Sequence, residues 1–320
     1  MSKFSKRFPN SIRKRYIKRF PPATPVYDLN RDTDPDRVAQ KIYDALSSEA
    51  PCMIARFGSV ELGCVCNYLA IQKPSLLKYI RGVRDPWWWT NETIHFMKNN
   101  AGFFSPTEEN LERFSKLMIK SMKSVDIMAS WRHEEKVFEK ELSQAYKIHL
   151  ELLTPFWSST PWTKALEGKK VLVVHPFVET MKKQYLKREL IHFNPDILPN
   201  FELKTLKAVQ SIGGECQENF NDWFEALEYM QAEIDKIDYD ICIIGCGAYG
   251  FPLAAHVKHH GKKAIHMGGA TQLLFGIRGK RWENYFEEFD YKKWMNNHWV
   301  RPSQEETPVV ANQIEAGCYW

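Results

Sequence analysis

No apolar run in the 320 residues approaches the roughly 20 needed to cross a bilayer, so no membrane-spanning helix is expected. The opening segment, MSKFSKRFPNSIRKRYIKRF, has no apolar stretch of the kind that marks a secretory signal, and the chain reads as cytoplasmic. Cysteines are scattered (Cys52, Cys64, Cys66, Cys216, Cys242, Cys246, Cys318), odd in number and without a CxxC pair, which suits reduced thiols rather than a disulfide framework. Internal repeats and low-complexity segments are absent. The first 20 residues contain no acid but hold Lys3, Lys6, Arg7, Arg13, Lys14, Arg15, Lys18 and Arg19. Of 44 Lys and Arg in all, the other 36 face 39 Asp and Glu, so the formal charge of +5 belongs to this arm. Nothing basic is left over for a nucleic-acid face on the remainder, and nucleic-acid binding is not expected. Phe4, Phe8, Ile12, Tyr16, Ile17 and Phe20 make the arm weakly amphipathic. It therefore reads either as a solvated arm or as a segment lying on an anionic membrane surface at the inner face.

What is present is an α/β pattern. Asp240 to Ile244 is a short isoleucine-rich run, as in a buried strand, and Gly245, Gly247 and Gly250 surround Tyr249 just after it. A helical pattern from Phe251 to His260 follows, then a second short strand, Lys263 to His266, ending at Gly268-Gly269. This is a βαβ unit, and ligands of such sheets bind outside the carboxyl ends of the strands, where these glycines sit. Glycine there is expected to let backbone N–H groups close on a phosphate or sugar.

Upstream, Asp34-Pro35 caps a helix with Val38, Ile42 and Leu46 at helical spacing. Pro51 to Arg56 reads as a strand, Val60 to Ala70 and Leu111 to Met122 as helices, and Val125 to Ala129 and Lys170 to Val174 as strands. Val178 to His192 reads as one helix, Phe201 to Gln210 as extended, and Asn219 or Asp222 caps a helix reaching Lys236. The expected fold is α/β, a Rossmann-like, mostly parallel sheet flanked by helices. Residues 1–25 form the basic arm and a stiff Pro21–Pro25 connector, 26–300 the main domain, and 301–320 a loose polar tail with an aromatic end.

A second constellation runs Ile54-Ala55-Arg56-Phe57-Gly58-Ser59-Val60-Glu61. A strand ends, glycine turns the chain, and Ser59 is placed to cap a helix whose first turn holds Glu61, with Arg56 and Glu61 at the mouth of the sheet. This segment and the C-terminal block together resemble the GT-D-type glycosyltransferases. The likeness continues through His175-Pro176-Phe177, Gln184-Tyr185, Arg188, Leu203-Lys204-Thr205, Gly245-x-Gly247-x-Tyr249-Gly250, Gly268-Gly269, Gln272, Phe275-Gly276 and Gly279-Lys280-Arg281-Trp282. It covers most of residues 50–285. The resemblance implies transfer of a hexose from a nucleotide sugar, such as a UDP-sugar, to a glycan or lipid-linked acceptor. It implies donor contacts at Gly58, Ser59, Gly245, Gly247, Tyr249, Gly250, Gly268, Gly269, Gln272, Lys280 and Arg281. Arg56, Lys280 and Arg281 would offset charge on the leaving phosphate, and Glu61 or His175 would serve as base.

One departure stands out. The family presents Asp-x-Glu to the donor and its metal, and this chain has Ser59-Val60-Glu61. Glu61 is left as the one carboxylate for Mn²⁺ or Mg²⁺, which puts metal dependence in question. Two other readings stay open: a non-catalytic nucleotide-sugar-binding protein, and another Rossmann-like nucleotide-dependent enzyme. Against the latter, Ile265-His266-Met267 stands where a ribose-binding acid would end the second strand. His256, His259 and His260 have ligand spacing but sit among Lys258, Lys262 and Lys263, as in a solvated basic helix end. Trp87-Trp88-Trp89 offers a sugar-stacking surface or loop packing, and Ser130-Trp131-Arg132 follows a strand end where it could join the site. Cys246, in the glycine turn, reads as packing before reactivity.

Overall fold

The computed structural model describes residues 3–21, 29–214, 220–284, 288–309, 311 and 317–320. Pro22–Pro25 of the connector, Cys216 and Asn219 lie outside the described residues. In chain order the helices and strands are α1 Lys3–Arg19, α2 Pro35–Ser47, β1 Cys52–Ala55, α3 Ser59–Gln72, α4 Leu76–Ile80, α5 Asn91–Asn99, α6 Glu108–Met122, β2 Ile127–Ser130 and β3 Tyr146–His149. They continue with β4 Lys170–His175, α7 Val178–Tyr185, α8 Arg188–Ile191, β5 Glu202–Lys207, α9 Trp223–Asp235, β6 Ile241–Ile244, α10 Gly250–His259, β7 Lys263–His266, α11 Thr271–Leu274 and α12 Lys280–Glu283.

The seven strands form one sheet in the order β3-β2-β1-β7-β6-β4-β5, every pair parallel. The central strands are apolar at successive positions because both faces are covered. Met53, Ala55, Leu172, Val174, Cys242 and Ile244 turn to a core shared with α3, α6, α9 and α10. Ile54, Ile127, Val171, Val173, Ile243 and Ile265 turn to the opposite core, under α2, α7 and α11. β1 and β7 are neighbours, yet α3 leaves β1 on one face and α11 leaves β7 on the other. A crevice opens between such loops.

Caps explain several starts. Asp34 accepts from Arg37 N–H at α2, Thr107 from Asn110 N–H at α6, and Asp222 from Phe224 and Glu225 N–H at α9. At α3 the cap position is Gly58 with no side-chain bond, so Ser59 is the first helical residue and not the cap.

Four expectations change. β3 was not anticipated: of its four residues only Ile148 is buried, because it is an edge strand. The helix expected over Val178 to His192 breaks after Tyr185. The break lets Ile191 and His192 pack under the β7 side, where His192 Nε2 donates to the Leu274 carbonyl at 2.7 Å. The basic arm is helical and docked on α4. The C-terminal tail is folded in its described part: the Glu306 carboxylate caps α7 through Glu179 N–H at 2.7 Å and Thr180 N–H at 3.1 Å. Among the described residues no helix is long and apolar enough to cross a membrane.

Candidate functional site

The loop after each of the seven strands contributes to a single cavity of about 450 Å³. Arg56 and Glu61 come from the end of β1 and the first turn of α3, Trp131 follows β2, and Glu151 follows β3. His175 closes β4, Ser211 follows β5, the Gly245–Tyr249 turn follows β6, and His266 to Gln272 follow β7. Among the described residues, the rest of the wall is Asn100 to Gly102 after α5, with Arg281, Trp282, Tyr319 and Trp320. Glu61 and the glycine turn, far apart in sequence, thus share one crevice.

Arg56 is the electrostatic centre. Burial pulls its pKa below the usual guanidinium value, while the negative charge of Glu61 works in the opposite direction. Tyr319, Arg281 and Glu151 also act on it electrostatically. An arginine stays protonated under such conditions, so this is a fixed, partly desolvated cation. Its guanidinium carbon lies 5.2 Å from the Trp131 ring centre, and the Trp131 Nε1–H donates to the Phe57 carbonyl at 2.9 Å, which holds that ring in place. Arg281 donates to the Tyr319 hydroxyl at 2.9 Å, with its guanidinium over the same ring. Among the described residues, the four charged side chains lining the cavity are Arg56, Arg281, Glu61 and Glu151, and their charges cancel.

Both histidines of the cavity are neutral. Burial pushes His175 down to about 3, and His266 also to about 3, through burial first and the Arg56 charge second. His175 Nδ1 accepts from Phe177 N–H at 3.0 Å, so its proton sits on Nε2 and the ring can only donate toward a ligand. That is a poor arrangement for the base role expected of it. His266 has the reverse tautomer: Nδ1–H donates to the Ile244 carbonyl at 3.3 Å, leaving Nε2 as an acceptor.

The glycines are explained differently from the expectation. A methyl group on Gly250 would fall on the His266 ring, and one on Gly269 on the Tyr319 ring. On Gly245 it would lie 2.5 Å from the Gly268 carbonyl oxygen and 2.7 Å from His175 Cδ2. These positions are bare because protein, not ligand, fills the space. Gly247 and Gly268 have φ of 57° and 62°, the left-handed region that L side chains rarely adopt. Gly58 is bare for Glu61, whose carboxylate curls back over it.

Of the other expected residues, Ser59 lines the cavity. Tyr249 reaches it too, but its ring stacks on Trp223 at 4.8 Å and its hydroxyl meets Ser211 Oγ at 3.0 Å, which makes it a wall. Gln272 donates to the Ile277 and Tyr319 carbonyls, and its Oε1 is buried without a hydrogen-bond partner among the described residues. Lys280 is exposed and does not line the cavity, since successive helical residues diverge by about 100° and Arg281 takes the inward place. Trp87 and Trp88 stand edge-on to Tyr79 at 5.6 and 5.5 Å and Trp89 is buried, all away from the cavity. Ser130 and Arg132 turn to Glu135 and Glu134, leaving Trp131 alone in the site. Cys246 is buried and its thiol is pushed up by burial, consistent with packing. His259 meets Ser124 Oγ at 2.9 Å, whereas His256 and His260 gather with Asp235 within 4.8 Å, remote from the cavity.

Sequence reasoning missed Glu151, His266, Tyr319 and Trp320. Glu151 follows a strand that was not recognised, and its carboxylate accepts from the Tyr291 hydroxyl. His266 did end a recognised strand, and that position was the available signal.

Together these features define an α/β protein with a charge-balanced crevice at the carboxyl ends of a parallel sheet. Residues 33–274 match the model of the GT-D fold-like domain, and the chain belongs to that family, a fold of glycosyltransferase type. No curated protein matches the sequence. A solved, selenomethionine-substituted structure of domain of unknown function 1792 is similar at 11% identity and a TM-score of 0.41, over 93% of this chain and 96% of that one.

Proposed function

We propose that the protein transfers a hexose from a nucleotide sugar to a glycan or lipid-linked acceptor. The observation behind this reading is Arg56, a desolvated cation flanked by Glu61 and Glu151 inside a crevice with aromatic walls. Breaking the sugar C1–O bond builds negative charge on the leaving diphosphate, and preorganised guanidiniums in a low-dielectric site lower that barrier most. Arg56 and Arg281 fill this role. Trp131, Trp282, Tyr319 and Trp320 exclude water and offer ring faces to sugar C–H groups. Without a bound metal Glu61 takes the proton of the acceptor hydroxyl; with one it would serve as a ligand instead. His175, limited to donation, binds rather than deprotonates.

A divalent cation fits the donor set. Glu61, Glu151, the Ser59 hydroxyl and the unpartnered Gln272 Oε1 are hard oxygen ligands of the kind that suits Mg²⁺ or Mn²⁺. When bound, such an ion would balance a diphosphate that the net-neutral cavity cannot balance alone. Glu151, from another loop, would then stand in for the acid replaced by Ser59.

The test is release of nucleoside diphosphate from a panel of nucleotide sugars, with Mn²⁺ and with chelator. Turnover that falls on chelation supports both parts. Turnover that ignores it refutes the metal. Nucleotide binding without turnover points to a sensing protein, and no binding across the panel ends the reading.

A further inference from the structure

We infer that α1 and α4 together form a face that docks on an anionic lipid bilayer. α1 does not trail into solvent. Arg13 reaches from it to donate to the carbonyls of Tyr79, at 2.6 Å, and Arg84, at 3.1 Å, near the end of α4. The same guanidinium lies 4.5 Å from the Tyr79 ring centre, and the Tyr79 hydroxyl donates to the Asn10 side chain. The Tyr79 carbonyl also accepts from Gly82 N–H at 3.0 Å, and a cation beside a helix C-terminus is a favourable arrangement, so the two helices are held as one unit.

That unit carries a one-sided charge. Lys14, Arg15, Lys18 and Arg19 are exposed on α1, and Lys73, Lys78 and Arg81 are exposed on or beside α4. Neither residues 3–21 nor residues 72–84 contain an acid. Apolar side chains stand among these cations: Leu77 is 67% exposed, Val83 72%, Leu76 50% and Phe20 58%. Two adjacent leucines on one short helix thus leave half or more of their surface in water.

The mixture selects the occupant. A nucleic-acid backbone rewards the cations alone. A bilayer with anionic headgroups attracts each basic side chain, on the order of fivefold in affinity, and also accepts exposed leucines and aromatics at the acyl boundary. With α1 about 25 Å long, the unit is large enough to lie flat on such a surface. α3 spans about 20 Å between Ser59 at the cavity and Gln72 just before α4, so a docked molecule keeps its crevice clear of the lipid.

The experiment is flotation of the full chain with phosphatidylcholine vesicles, with or without phosphatidylglycerol. The wild type should float only with the anionic vesicles, and less as salt is raised. Leu76→Gln combined with Leu77→Gln leaves the charge unchanged and should weaken flotation. Lys14→Gln with Lys18→Gln should weaken it on the order of fivefold per charge. These side chains are exposed, so unchanged thermal melts will show that the variants fold. Equal flotation with neutral vesicles, or a leucine variant that floats like wild type, overturns the proposal. So does binding to DNA without binding to vesicles. Donor turnover in solution is a separate readout: its failure leaves this face standing, and a failed flotation leaves the transferase reading standing.

Discussion

Gly58 and Gly250 both open helices beside the cavity, at ordinary helical or extended backbone angles, so alanine would strain neither backbone. What each methyl would meet differs. On Gly250 it meets the His266 ring, buried and tied by Nδ1 to the Ile244 carbonyl, which has nowhere to go. Gly250→Ala should therefore cost about 1–3 kcal/mol, read as a lower urea midpoint. On Gly58 it meets the end of the flexible Glu61 side chain, which can swing aside. Gly58→Ala should leave the midpoint within about 0.5 kcal/mol of wild type while donor turnover drops. A Gly58→Ala enzyme with full turnover would remove Glu61 from the mechanism. Arg56→Lys keeps the charge but gives up the planar donor fork facing Trp131, and turnover should fall about 10²–10³-fold with nucleotide binding retained. At this scale the sequence was a partial guide. Arg56 and Glu61 announced themselves by standing at a strand end next to glycine. Glu151 did not, because its place depends on an edge strand with one buried residue.

Elements at the two ends of the chain were the least legible, for a physical reason. The strands β1, β4, β6 and β7 read as apolar runs because burial on both faces fixes their composition. The tail beyond Pro302 is polar and lacks periodicity, yet its described part is held by single polar anchors that no local pattern reveals. Glu306 is one: buried, it accepts from two backbone N–H groups of α7 and from the Thr180 hydroxyl. Glu306→Gln cannot accept on both oxygens, and should destabilise the fold by about 1–3 kcal/mol, measured by thermal or urea melting. The same segment brings Tyr319 and Trp320 to the cavity, so donor affinity should fall in this variant as well. Wild-type stability and affinity would mean the cap contributes nothing.

For the whole molecule, the distribution of protons governs acid stability. Burial holds His175 and His266 at about 3 and His192 at about 4. His149, partly buried, is held at about 4 by burial and then by the Arg31 charge. In the unfolded chain each would titrate near 6.5. Between about 6.5 and 4 the unfolded state thus binds up to four protons that the folded state refuses, and stability must rise with pH across that window. It is fully present above 6.5 and erodes as pH falls toward the folded values. Asp32, drawn down chiefly by its hydrogen bond from Arg37, adds an effect of the same sign at lower pH. The melting temperature should accordingly be level between pH 8 and 7 and drop with increasing steepness below about 6.5. Removing one such group tests the account. His192→Gln retains a donor for the Leu274 carbonyl but takes up no proton, so its melting temperature should depend less steeply on pH between about 6 and 5. A melting temperature unchanged from pH 7 to 5 would show that these imidazoles charge without unfolding the protein, and that the cavity histidines are not neutral where the donor binds.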